Sequence, residues 1–252
     1  MNIKSILAVT YFSMAAEHGL ERAALIAASH QAKLRLIYGA EEPNLGLVDP
    51  VARLRQRGRQ LARRHAANVE VISNTSNMLS DVTRHARNAN LLVLDHRSER
   101  TLTTFWRGST LDQLLRRCQC PILVVKQEPR GPYKRVLVAV DYTAPSQKLV
   151  QFASGLDAKS ELEFFHSFEA LNNAELSAKA DPHDAMRTHR RTVRREASHR
   201  SLRFSDYFET RRNRVTSLNG RSDPAREIAA HQEYARSDLV IVGKSKGSML
   251  FD

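Results

Sequence analysis

The feature that most constrains this chain is that it is written twice. "SILAVTYFS" opens at residue 5 and "RVLVAVDYT" at residue 135, each a β-branched and aliphatic run that breaks into a turn. A helical pattern follows both. Met14 to His30 places Leu20, Ala23, Ala24 and Ala27 at helical spacing, and the second copy sets Pro145 where a first helical turn begins, ahead of "SQKLVQFASGL". Second-strand candidates come next, "AKLRLIYGA" and "SELEFFHSF". The third correspondence is the clearest: "DVTRHARNANLLVLD" ends at Asp95 and "EIAAHQEYARSDLVIVG" at Gly243, each a helix with Ala-Arg near its end and then a short apolar strand. Continuous runs such as "LLVL", "LVIV", "ILVV" and "VLVAV", separated by helical stretches, suit a parallel sheet covered on both faces.

The expected fold is therefore α/β, two tandem repeats of a Rossmann-like parallel-sheet sandwich. "KQEPRGPYK" reads as the linker, with the boundary near Gly131. The first domain is expected over 1–128, the linker over 129–134 and the second domain over 135–252. The first copy continues past Asp95 through the helix "STLDQLLRRCQ" and the strand "PILVVK", whereas the second stops nine residues after Gly243, so its last helix and strand are expected to be missing. The second copy also has an insertion, "LNNAELSAKADPHDAMRTHRRTVRREASHRSLRF", after its second strand.

The totals set outer limits. Apolar residues make up 42% and charged residues 26% of the 252, which excludes wholesale disorder. No apolar run approaches the roughly 18 residues of a membrane span, and the N-terminal apolar stretch reads as a first strand, with no clear cleavage site after it. Two cysteines make no disulfide framework, and the expected compartment is the cytoplasm. A formal charge of +12 permits attraction to acidic partners.

These residues resemble the universal stress protein family in its tandem, two-domain form. The resemblance rests on the opening strand with its terminal Asp141 in copy two, on "SDPAREIAAHQEYARSDLVIVG", and on "RGSTLDQLLRRCQCPILVVK". It implies a five-stranded parallel sheet, dimerisation through the last strand and, in some members, ATP held by a G-x2-G-x9-G-[ST] loop after the fourth strand. Glycines there let the backbone approach the phosphates, and the N–H groups of a helix start receive the anion.

Both copies depart from that loop. Copy one reads Asp95-x2-Ser98-x9-Gly108-Ser109: the closing Gly108 and Ser109 remain, both leading glycines are gone, and its first strand ends in Thr10. Asp95 sets a carboxylate where phosphates would lie, and the expectation is that Gly108-Ser109 only caps a helix. In copy two Asp141 and Gly243 match, Lys246 stands where the second glycine belongs, and the chain ends before the closing Gly-[ST]. Gly243-Lys244-Ser245 is not a P-loop. The first glycine of that motif falls on Asp238, and only seven residues follow Ser245.

Other constellations point away from catalysis. There is no G-x-S-x-G elbow, no H-E-x-x-H and no informative carboxylate pair. Cys118 and Cys120 lack the partners of a zinc site and read as apolar packing before an edge strand. His183, His189 and His199, at spacings of six and ten, share no helical face, so no metal site is expected. From Arg187 to Arg214 run ten arginines against Glu196, Asp206 and Glu209, with Phe204, Tyr207 and Phe208 between them; "RLRQRGRQLARRH" is a second basic run in copy one. Such stretches are solvated helix faces, or they bind an acidic protein or nucleic acid. The reading is a non-enzymatic stress-response regulator that engages partners, with a homodimer or a pairing of the two repeats expected from open sheet edges. The alternatives are an ATP-binding switch using Asp141, Gly243 and Lys246, and a basic nucleic-acid-binding module.

Overall fold

The computed structural model describes residues 2–39, 49–73, 78–95, 109–141, 144–167, 214–218 and 224–243. Ser98, Gly108, Lys246, the insertion and almost all of the basic stretch from Arg187 lie outside them. Within the chain two compact units are distinguished, Asn2–Pro132 and Tyr133–Asp252.

In the first unit the elements run β1 (Ser5–Thr10), α1 (Met14–His30), β2 (Lys33–Tyr38), α2 (Pro50–His65), β3 (Asn68–Ile72), α3 (Met78–Ala86), β4 (Leu91–Asp95), α4 (Thr110–Arg117) and β5 (Ile122–Val125). All five strands pair in parallel, in the order β3-β2-β1-β4-β5. Period two divides the strand residues between the faces. Leu7, Val9, Ile37, Leu92 and Leu94 pack with Met78, Val82 and Leu114 of α3 and α4. The alternate residues Ile6, Ala8, Leu34 and Leu36 fall on the other face, beneath α1 and α2, and are fully buried. Each aliphatic side chain of that size contributes about 1.5–3 kcal/mol on burial, which makes this double-sided core the main source of stability.

Local chemistry sets the helix ends. Ser13 caps α1 by accepting from the Ala16 N–H, and Asp49 caps α2 from Ala52, with Pro50 supplying a preset first turn. Gln31 and Ala66 close these helices in the left-handed conformation at φ 51°, and Arg236 has the same φ in the second unit. Each is followed within three residues by a strand, so one compact device turns helix into sheet three times. Gly58, within α2, lets the helix settle on β3: a Cβ there would meet Val69 Cγ1 at 3.3 Å and Val71 Cγ2 at 3.4 Å. From β2, Arg35 reaches across to the C-terminus of α3, its Nη2 donating to the carbonyls of His85 at 2.9 Å and Asn88 at 3.1 Å. A cation at that end complements the helix dipole.

The second unit contains β6 (Arg135–Ala139), α5 (Ala144–Leu156), β7 (Glu161–Ser167), β8 (Arg214–Leu218), α6 (Pro224–Ala235) and β9 (Leu239–Ile241). Its parallel sheet runs β8-β7-β6-β9. The register repeats that of the first unit: Ile6 faces Leu34 and Leu91, and Val136 faces Leu162 and Leu239. One polar lock recurs as well. Asn90 Oδ1 accepts from the N–H groups of Lys4 and Ser5 at 2.9 and 3.0 Å, and Asp238 Oδ2 accepts from those of Lys134 and Arg135 at 2.7 and 3.0 Å. Among the described residues no helix or strand follows β9.

Two details differ from the sequence reading. The sequence does not mark β3 and β8 as separate elements, because neither "NVEVI" nor "RVTSL" forms a continuous apolar run. "LVIV" is not four buried strand residues: the ladder stops at Ile241, and Val242 is 58% exposed, beyond the last residue with a partner on β6.

Candidate functional site

Open parallel sheets hold ligands at the carboxyl ends of their strands, where the strand order reverses. That point lies between β1 and β4 in the first unit and between β6 and β9 in the second.

In the first unit the place is already filled. Asp95, the last residue of β4, is only 7% exposed. Ser13 Oγ donates to Asp95 Oδ2 at 3.3 Å while accepting from Ala16 N, so the side chain that starts α1 also holds the carboxylate. Thr10 is fully buried, and its Oγ1 accepts from the Phe12 N–H at 3.1 Å. Phe12 has φ 59°, which is unusual for a bulky residue. This turns its ring onto Tyr38, centroids 5.0 Å apart, while the Arg53 guanidinium stands 4.6 Å from its centroid. Ser109 caps α4 in a closed capping box. Its Oγ accepts from Asp112 N at 3.1 Å and donates to Asp112 Oδ2 at 2.8 Å, and its own N–H donates to the same oxygen at 2.9 Å. The anion at this helix start is thus a carboxylate of the chain itself, and Ser109 is the helix cap that the sequence suggests.

In the second unit Asp141 follows β6 and Gly243 follows β9, so the two matching positions lie at the ends of neighbouring parallel strands. Asp141 is tied down. The buried Ser146 donates its hydroxyl to Asp141 Oδ1 and accepts from the Asp141 N–H at 3.0 Å. Beside it, His166 Nδ1 bonds the Val140 carbonyl at 2.6 Å. At Gly243 a Cβ would come within 3.0 Å of Leu149 Cδ1, so a side chain there would push into α5. Lys246 and Gly108 fall outside the described residues.

Reading by motif missed Ser13, Ser146 and His166. Ser13 had a usable signal, a serine just before a helical pattern. Ser146 and His166 had none, since their partners are set by the fold.

A second feature of the first unit is an ionic lattice between α1 and α2, on the wall of a cleft of about 750 Å³ that Phe12, Arg53 and Glu128 also line. Glu21 accepts from Arg57 Nη2 at 2.7 Å, Arg64 Nη1 at 2.5 Å and His65 Nε2 at 2.6 Å, and Arg57 Nε also donates to Glu17 at 2.6 Å. Burial pulls the Glu21 pKa upward. The hydrogen bonds from His65 and Arg57 and the charges of Arg64 and Arg57 outweigh it and hold the carboxyl below its ordinary value. Among the described residues no group of three or more His, Cys, Asp or Glu is placed to hold a metal, and no helix is long and apolar enough to cross a membrane.

Comparison with known proteins agrees with the repeat. The universal stress protein family matches residues 2–126 and again 132–251. No curated protein matches the chain. Among solved structures, a universal stress protein from Archaeoglobus fulgidus DSM 4304 is similar at 16% identity and TM-score 0.66, over 97% of this chain and 86% of that one. A functionally unknown protein from Pseudomonas aeruginosa PAO1 is similar at 18% identity and TM-score 0.65, over 98% and 84%. A universal stress protein in complex with cAMP matches half of this chain and 98% of its own, at 22% identity and TM-score 0.43. With the family matched once in each repeat over nearly its whole length, this chain belongs to the universal stress protein family in tandem form.

Proposed function

We propose that the chain is a non-enzymatic stress-response regulator of the universal stress type, acting by binding partners, with both nucleotide positions degenerate. The observation that carries this is the buried Asp95 carboxylate, held by Ser13, where the nucleotide loop of the family has its first glycine. A phosphate there would face a like charge in a poorly solvated place, at a cost of several kcal/mol unless a cation intervened. Asp112, bonded to Ser109, repeats the obstacle at the start of α4. The reading includes assembly as a homodimer through an open sheet edge, in the cytoplasm, with an acidic protein as partner.

One observation favours an ATP switch in the second repeat instead: Asp141 and Gly243 stand at the ends of adjacent strands. Against it, the Asp141 carboxylate is already engaged by Ser146. Thermal unfolding with and without millimolar Mg-ATP separates the two. A ligand of the folded state at a hundred times its dissociation constant stabilises by about 2.7 kcal/mol. The regulator reading expects no shift, and a saturable shift abolished by Asp141→Ala establishes the switch.

A further inference from the structure

Helix α2 carries six arginines and no acid between Pro50 and His65, and they divide into two rows. Arg53, Arg57 and Arg64 lie toward α1, where Arg57 and Arg64 bind Glu17 and Glu21 and Arg53 covers the Phe12 ring. Arg55, Arg59 and Arg63 recur every four residues, are exposed, and have no hydrogen bond or ion pair among the described residues. At about 100° per residue, Arg55 and Arg59 fall on the flank of α2 away from α1, with Arg63 at the crest.

That flank overhangs an open strand. Gly58 seats α2 on Val69 and Val71, and among the described residues β3 pairs with β2 alone, so its outer N–H and C=O groups meet no strand. Four residues of helix advance about 6 Å, and two residues of strand about 6.6 Å. A strand laid along β3 would therefore bring every second side chain under successive arginines. We propose that this edge takes an extended acidic segment of a partner protein, added beside β3, with carboxylates at alternate positions beneath Arg55 and Arg59, and with Arg63 at the crest adding to the positive field. Main-chain hydrogen bonds supply the affinity and the arginine row the specificity.

Other occupants fit less well. A second copy presenting its own β3 edge would bring a second arginine row against the first, and charges so placed guard an edge from its own kind. Single-stranded nucleic acid needs an open aromatic face, and the Phe12 ring beside α2 is already stacked on Tyr38 and covered by Arg53. A duplex would make no use of the strand edge.

The inference rests on the partner-binding reading above, yet the two fail separately: an ATP-induced shift overturns that reading and leaves peptide binding as it is. The test titrates the full chain with a labelled eight-residue peptide of alternating Glu and Thr. The controls are the same residues with the glutamates contiguous, and the alternating peptide N-methylated on every second amide. Binding to the alternating peptide is expected to fall by about fivefold in R55A/R59A/R63A, the two exposed ion pairs of Arg55 and Arg59 being worth that much together. The contiguous peptide and one of the two methylation registers should be weakened to a similar extent. Unchanged circular dichroism and melting temperature show that the variant is folded. Equal binding by the triple variant, by the contiguous peptide or by both methylated registers overturns the proposal, as does tighter binding of a duplex oligonucleotide of equal charge.

Discussion

Removing one charge at Glu21 should cost the first repeat about 2 kcal/mol, and only at a pH where that carboxyl is ionised. Glu21→Gln keeps the shape and one oxygen but weakens three bonds, from Arg57, Arg64 and His65. A hydrogen bond to a charged group contributes roughly 1.5–3 kcal/mol and a neutral one roughly 0.5–1.5, so each bond loses about 1 kcal/mol. Solvent screening discounts them unequally. The side chains of Glu21, Arg57 and His65 are 18%, 16% and 14% exposed, whereas that of Arg64 is 60% exposed and its bond counts for little. Two effective bonds leave about 2 kcal/mol. The folded-state pKa of Glu21 lies below its ordinary value of 4.5. Its contribution is therefore complete above that value and is lost as the pH falls through the folded pKa. Urea unfolding of wild type and variant at about pH 7 should give equal slopes and separated midpoints, and the separation should shrink as the pH is taken down below 4.5. A separation under about 0.5 kcal/mol at neutral pH, or one that persists undiminished in acid, refutes this account of the lattice.

Three further outcomes are expected. Ser109→Ala, which opens the capping box of α4, should cost about 1 kcal/mol in denaturant unfolding, and a cost near zero would mean that another group takes over the cap. Ala66→Gly should stabilise by roughly 0.5–1 kcal/mol, because Ala66 holds φ 51° and glycine pays no steric penalty there; a lower melting temperature contradicts this. The Cys120 thiol is pushed up to about 11, by burial first and by Cys118 second. Mass spectrometry after iodoacetamide treatment at about pH 8 should therefore find it much slower than the same thiol in urea, and equal rates would refute the assignment.

The tandem α/β plan was legible because its signals are local. Apolar runs of strand length and helical spacing at Leu20, Ala23, Ala24 and Ala27 do not depend on the rest of the chain. Asn90 and Asp238 were legible in principle, standing one residue before matching apolar runs, although nothing in the sequence says that both lock the first strand of their repeat. β3 was hard to read because an edge strand with one half-covered face needs no continuous apolar run; Glu70 interrupts it and pairs with Lys33 at 2.7 Å. In the site, the loss of glycine at Asp95 was visible, but its bond to Ser13 spans 82 positions and depends on β1 and β4 being neighbours. The Glu21 lattice was hidden for the same reason: α1 and α2 read as separate helices until packing brings an acidic row against a basic one.

The reach of Arg35 from β2 to the carbonyls of His85, in the last turn of α3, and Asn88, just beyond it, bears on how this repeat comes apart. A helix whose end is fastened by a strand residue cannot unwind from that end without also disturbing the middle of the sheet. Deuterium uptake along the final turn of α3 should then track that of β2, instead of showing the early exchange usual for helix termini. With Arg35→Met the two rates should separate, the helix end exchanging first while the sheet keeps its protection.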